Sequence, residues 1–80
     1  MSGETPQAHP APGSLQITVN NEAHVVPAGI NIRALLAHLG IRPDRVAIER
    51  NLEILARDRW EATQVAANDR YEIVHFVGGG

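Results

Sequence analysis

From Leu15 the chain alternates: Leu15, Ile17 and Val19 are apolar, Gln16 and Thr18 polar. That is the period-two pattern of a strand with one buried face. Asn20-Asn21 follows, and asparagine tolerates the positive φ of a two-residue hairpin turn. A second strand over about Ala23 to Val26, closed by Pro27, completes a hairpin. The period then changes. Ile32, Leu35, Leu36 and Leu39 recur at helical spacing behind Asn31, a favoured N-cap type, and Gly40 with Pro43 marks the stop. A helix of about two to three turns does not persist alone, so its leucine stripe must pack on a sheet.

Val46 to Arg50 reads as a third strand, with Val46 and Ile48 on one face and Ala47 and Glu49 on the other. Asn51-Leu52 is the next turn, although leucine is a poor residue for a left-handed position. Glu53-Ile54-Leu55-Ala56 makes a short fourth strand, and Asp58 is placed to cap a single helical turn carrying Trp60, itself expected as a core plug. After an Asn68-Asp69 turn, Arg70 to Val77 is the longest β-rich run and the last strand. Strand, strand, helix, strand, strand, strand predicts an α+β fold of the β-grasp, ubiquitin-like kind. A mixed sheet of four to five strands would pack on one helix. A ferredoxin-like fold needs a second full helix, and residues 57–67 are too short and broken to supply it.

At 80 residues and 8.7 kDa the chain has room for one core. Residues 1–14 hold three of the five prolines and nothing apolar larger than alanine after Met1. A disordered N-terminal tail is expected there, a folded domain over 15–77, and a flexible glycine tail over 78–80. Neither a basic, apolar leader nor a run of membrane-span length occurs, so a cytoplasmic protein with no membrane association is expected. The net charge of −2 argues against nucleic acid as a partner.

Side-chain chemistry is sparse. There is no cysteine, and all seven basic residues are arginines, which excludes thiolate, disulfide and lysine Schiff-base chemistry. His9, His24, His38 and His75 are scattered and lack metal-ligand spacing, so no metal site is expected. Glu49 and Glu53 bracket a hairpin turn and read as solvated charges rather than as an acid/base pair in a cleft.

Gly78-Gly79-Gly80 closes the sequence. No helix follows to make a phosphate loop. Glycines without side chains can thread a channel too narrow for other residues. A terminal α-carboxylate, with an ordinary pKa of about 3.5, is fully ionised near neutrality. Such a carboxylate can attack the α-phosphorus of ATP, and the resulting acyl-adenylate is open to sulfur or nitrogen nucleophiles.

Several segments together resemble the ThiS family, the sulfur carriers of thiamine thiazole biosynthesis. They are the opening Ile17-Thr18-Val19-Asn20 strand and hairpin, Pro27-Ala28-Gly29, and the helix end at Leu35-Leu36…Leu39-Gly40. Val46 to Asn51, the Arg57…Trp60 turn and the closing Glu72 to Gly80 complete the set. Leu52 and Ala56 depart from it, standing where the family often has glycine and proline. The resemblance implies a β-grasp carrier that is not itself an enzyme and binds no cofactor. A ThiF-like adenylating enzyme would activate the Gly80 carboxylate with ATP and Mg²⁺, and Gly78 and Gly79 would thread its active site. A sulfur donor protein would convert the adenylate to a thiocarboxylate, which a ThiG-like thiazole synthase would consume. Alternatives are a carrier for molybdopterin synthesis or tRNA thiolation, a ubiquitin-like protein modifier, and a plain interaction module.

A carrier must be recognised. If Tyr71 and Ile73 face the helix, alternation puts Glu72, Val74 and Phe76 on the open side of the sheet. Val74, Phe76 and Val77 are therefore the candidate docking residues, just ahead of the glycines.

Overall fold

The computed structural model describes residues 12–76. It contains β1 (Ser14–Val19), β2 (Glu22–Pro27), α1 (Ile32–Leu39), β3 (Val46–Arg50), β4 (Glu53–Leu55) and β5 (Arg70–His75), with short 3₁₀ turns at Pro43–Arg45 and Arg57–Arg59. The five strands form one mixed sheet in the order β2-β1-β5-β3-β4. β1 and β5 run parallel and the other three pairs antiparallel. One helix crosses between β2 and β3 and covers one face.

Local chemistry accounts for most of these boundaries. Asn20 and Asn21 have φ of 49° and 70°, and Asn51 and Leu52 of 52° and 73°. Both hairpins thus use turns with two left-handed residues, the type whose twist matches the strands. The helix begins where Asn31 Oδ1 accepts from the Ala34 amide at 2.9 Å. It ends at Gly40, φ 73°, whose amide donates back to the Ala37 carbonyl at 3.1 Å. Ile32, Leu35 and Leu36 are buried beneath it, against Ile17 and Val19 of β1, Val26 of β2, Val46 and Ile48 of β3, and Tyr71 and Ile73 of β5.

Trp60 plugs this core at 1% exposure. Its indole N–H donates to the Leu55 carbonyl at 3.0 Å, and Arg33 and Arg57 lie against the ring, 5.5 and 4.5 Å from its centroid.

Three expectations need correction. Asp58 does not cap the Trp60 turn: Ala56 occupies the cap position without a side-chain bond, and Asp58 sits inside the turn. The fourth strand stops at Leu55, because the Leu55 carbonyl is taken by the Trp60 indole and Ala56 opens the turn, where its own carbonyl accepts from Arg59. The last strand ends at His75. At the other end β1 starts at Ser14, with the Gly13 carbonyl accepting from Ala28. Residues 1–11 of the expected N-terminal tail, and Val77 through Gly80, lie outside the described residues.

Candidate functional site

Residues 77–80 must leave from Phe76, so the surroundings of the β5 end are what any protein engaging them will meet. Tyr71 and Ile73 are buried against the helix side, while Val74 and Phe76 are both 56% exposed. Tyr71, Ile73 and Val74 therefore lie on the faces that alternation expects. Val74 lies beside Ala47 of β3 in the antiparallel register, and Glu49 lies between Ile54 of β4 and Glu72 of β5. Ala47, Glu49, Leu52, Ile54, Glu72 and Val74 line an open groove of about 320 Å³. Leu52 and Ile54 are 85% and 74% exposed. The groove is thus an apolar strip edged by carboxylates, with Glu49 and Glu72 side by side in register.

Phe76 does not share that groove. Its amide donates to the Arg45 carbonyl at 2.8 Å. The ring lines a second cleft with the Gly40–Arg45 segment and His75. Val74 and Phe76 therefore line two different depressions. Leu52 and Ile54 were not among the expected docking residues. The outward alternation of Ile54 against half-buried Leu55 was the available signal.

At the opposite end of β5 a polar cluster fixes the strand. Asp69 is buried and accepts from Tyr71 Oη at 2.7 Å, the Ala66 amide at 2.8 Å, Arg50 Nε at 3.0 Å and Asn51 Nδ2 at 3.2 Å. Burial alone would raise its carboxyl; the Ala66, Tyr71, Asn51 and Arg50 donors outweigh that and hold it below the usual carboxylate value. Burial, then donation to Asp69, pushes the Tyr71 phenol well above its ordinary value. Asn20 supplies a further brace. Its backbone amide donates to Tyr71 O at 2.8 Å, while its side chain accepts from Ile73 N at 2.8 Å and donates to Ile73 O at 3.2 Å. The sequence marked Asn20 and Asp69 only as turn residues.

Among the described residues there is no group of three His, Asp or Glu side chains that could hold a metal ion, and no helix long and apolar enough to cross a membrane. Glu49 and Glu53 stand on neighbouring strands at the partly and fully exposed sheet surface.

The mixed sheet order and the helix that crosses it, the one α-helix among the described residues, define a ubiquitin-like β-grasp protein. A model of the ThiS family matches residues 12–80. The crystal structure of the thiamine biosynthesis protein ThiS from Geobacter metallireducens superposes with a TM-score of 0.71 at 33% identity, covering 82% of this chain and all of that one. The sulfur carrier protein ThiS of Bacillus subtilis is 43% identical over 49 residues, 61% of this chain and 74% of that protein. A thiazole synthase of Magnetococcus marinus is 39% identical over 66 residues, which are 82% of this chain but only 20% of that protein's length. The chain belongs to the ThiS family.

Proposed function

We propose that this protein is a sulfur carrier of thiamine biosynthesis whose reactive group is the α-carboxylate of Gly80. An adenylating enzyme, using ATP and Mg²⁺, joins that carboxylate to AMP and releases pyrophosphate. A sulfur donor then displaces AMP, and one carboxylate oxygen is replaced by sulfur. The thiocarboxylate gives its sulfur to a thiazole synthase and the carboxylate returns. Gly78 and Gly79 supply the slender reach, and Val74, Phe76 and Val77 seat the carrier against these enzymes.

The observation that carries the reading is the half-exposed apolar pair Val74 and Phe76 at the end of the strand that leads into the glycines. Isolated apolar residues on a surface are ordinary, but two large ones left exposed at the end of the strand that leads into the glycines favour an interaction site. Two relatives support it further. The Bacillus subtilis protein is named a sulfur carrier, and a stretch like this chain occupies a fifth of a Magnetococcus marinus protein named thiazole synthase. A carrier-like segment within a protein so named fits a carrier that works beside that enzyme. The domain contributes no catalytic side chain in this scheme, so it is a co-substrate rather than an enzyme.

Intact mass spectrometry tests the scheme after incubation with ATP, Mg²⁺, a sulfur source and a ThiF-type activating enzyme. The expected product has one oxygen exchanged for sulfur at Gly80. An unchanged mass with a demonstrably active enzyme refutes it. Isopeptide conjugates on other proteins would instead mark a ubiquitin-like modifier.

A further inference from the structure

The cleft that Phe76 lines has a volume of about 660 Å³ and an unusual charge for a chain of net −2. Arg42, Arg45 and His75 border it, and Asp44 is the one acid among the described residues that line it. All four side chains belong to exposed residues. Among the described residues, neither Arg42 nor Arg45 has a carboxylate within 4.0 Å. Arg42 and Arg45 thus line one concavity with no carboxylate partner among the described residues, although guanidinium forks bind carboxylates well. The Phe76 amide bond to the Arg45 carbonyl ties this cleft to the place where the chain leaves the sheet.

We infer that the Arg42–Arg45–His75 cleft is a docking site for acidic side chains of the protein that engages residues 77–80. The occupant follows from position and charge. Phe76 lines the cleft and residue 77 is bonded to it, so a protein gripping the following glycines must come close to the cleft. Arginines with no carboxylate partner among the described residues favour aspartate or glutamate. The separate groove that Val74 lines is edged by Glu49 and Glu72. Charge is therefore sorted between the two depressions, basic in the one that Phe76 lines and acidic in the one that Val74 lines. A partner with the matching arrangement is steered into one orientation, and the reversed orientation sets like charges together.

The inference rests on the carrier reading only for the partner's identity, so the first test needs no enzyme. The isotope-labelled full chain is titrated with hexaglutamate and followed by nuclear magnetic resonance, with hexaglutamine and inorganic phosphate as comparison arms. Hexaglutamate should give saturable shifts confined to Ile41, Arg42, Arg45, His75 and Phe76, lost on adding salt to roughly molar strength. The R42E/R45E double variant should lose them while keeping its other resonances. Scattered or absent shifts in the wild type overturn the inference without recourse to any variant. Equal shifts with phosphate overturn it too, by making the cleft a small-anion site. In the second test, R42E/R45E should raise the carrier's KM in the adenylation reaction about tenfold with kcat unchanged, as expected for lost encounter electrostatics. An unchanged KM refutes the docking role. A wild-type carrier that is not adenylated at all refutes the carrier reading instead, and the titration still decides the cleft.

Discussion

Asp69→Ala should be among the most damaging single substitutions in this domain, although Asp69 precedes β5 at the end opposite Phe76. The change removes a buried acceptor with four side-chain and backbone donors aimed at it. The Tyr71 hydroxyl is left buried and unsatisfied, at a cost of about 1–3 kcal/mol. Arg50 is a smaller loss than in a fully enclosed pair, because its side chain is 28% exposed and can turn to water. We assign it about 1 kcal/mol, at the upper end for solvent-accessible ion pairs. The Ala66 amide and Asn51 add about 1 kcal/mol more. The sum, roughly 3–5 kcal/mol, is a large share of the 5–15 kcal/mol that stabilises a typical domain. Urea unfolding followed by fluorescence of the single, buried Trp60 measures it directly. Tyr71→Phe removes one donor and leaves no orphan, so it should cost about 1–2 kcal/mol. The double variant should cost less than the sum of the two singles. A loss below about 1 kcal/mol for Asp69→Ala, or strict additivity with Tyr71→Phe, would refute the cluster as a coupled brace.

The same cluster sets two pH limits. The Asp69 carboxyl titrates lower in the folded chain than in the unfolded one. Its contribution is therefore complete above about pH 4, the ordinary aspartate value, and is lost as pH falls through the lower folded value. Tyr71 is shifted the other way. The unfolded chain gives up the phenolic proton from about pH 10 while the folded chain keeps it, so stability declines as pH rises beyond that point. Tyr71→Phe should flatten the alkaline limb and leave the acid limb in place.

Three further substitutions separate stability from recognition. Leu52→Gly relieves a left-handed leucine that costs about 1–2 kcal/mol, partly offset by glycine's freedom in the unfolded chain, so a rise of a few degrees in the thermal midpoint is expected. Should Leu52 belong to the docking strip, that gain comes with a higher KM for adenylation. Phe76→Ala removes a half-exposed ring, so stability should move by less than about 0.5 kcal/mol while adenylation falls; unfolding by circular dichroism, or unchanged turnover, counts against docking through Phe76. Asn20→Gly keeps the turn's positive φ but loses both side-chain bonds to Ile73, and should lower the unfolding free energy by about 1–2 kcal/mol in the urea assay.

The sheet, the helix and their order were legible because each rests on local chemistry. Strand period, paired asparagines at the first turn, and Asn31 and Gly40 at the helix ends are all short-range signals. The Asn51-Leu52 turn was legible despite its leucine, since the asparagine and the flanking alternation outweigh one strained residue. What stayed hidden depends on residues far apart in sequence. Asp69 reads as a turn residue because its partners Arg50 and Asn51 lie nearly twenty positions away. Asn20 reads the same way, its Ile73 partner being 53 positions distant. The basic cleft was invisible for a similar reason: Arg42 and Arg45 meet His75 and Phe76 only once β3 and β5 have paired. The exposure of Phe76 was foreseen by alternation. Its separation from Val74 was not, because the strand ends at His75 and Phe76 is held by the Arg45 carbonyl instead.

These long-range bonds divide β5 into a fixed half and a presented half. β5 is paired with β1 only at Arg70 and Tyr71, after which β1 has already turned. Asn20 extends that support to Ile73 by offering its carboxamide as a substitute for the next strand residue. Past Ile73 the described residues provide a strand neighbour on one side alone, where β3 continues to Val46 opposite His75. Stabilising bonds to Asp69 and Asn20 thus gather at the start of the strand, and exposed apolar and charged groups gather at its end. The proposed carrier role needs that division, because surface offered to a partner cannot also be consumed by the fold. Substitutions at Asp69 and Asn20 should therefore act on how much carrier is folded, and those at Arg42, Arg45, Val74 and Phe76 on how well the folded carrier is used.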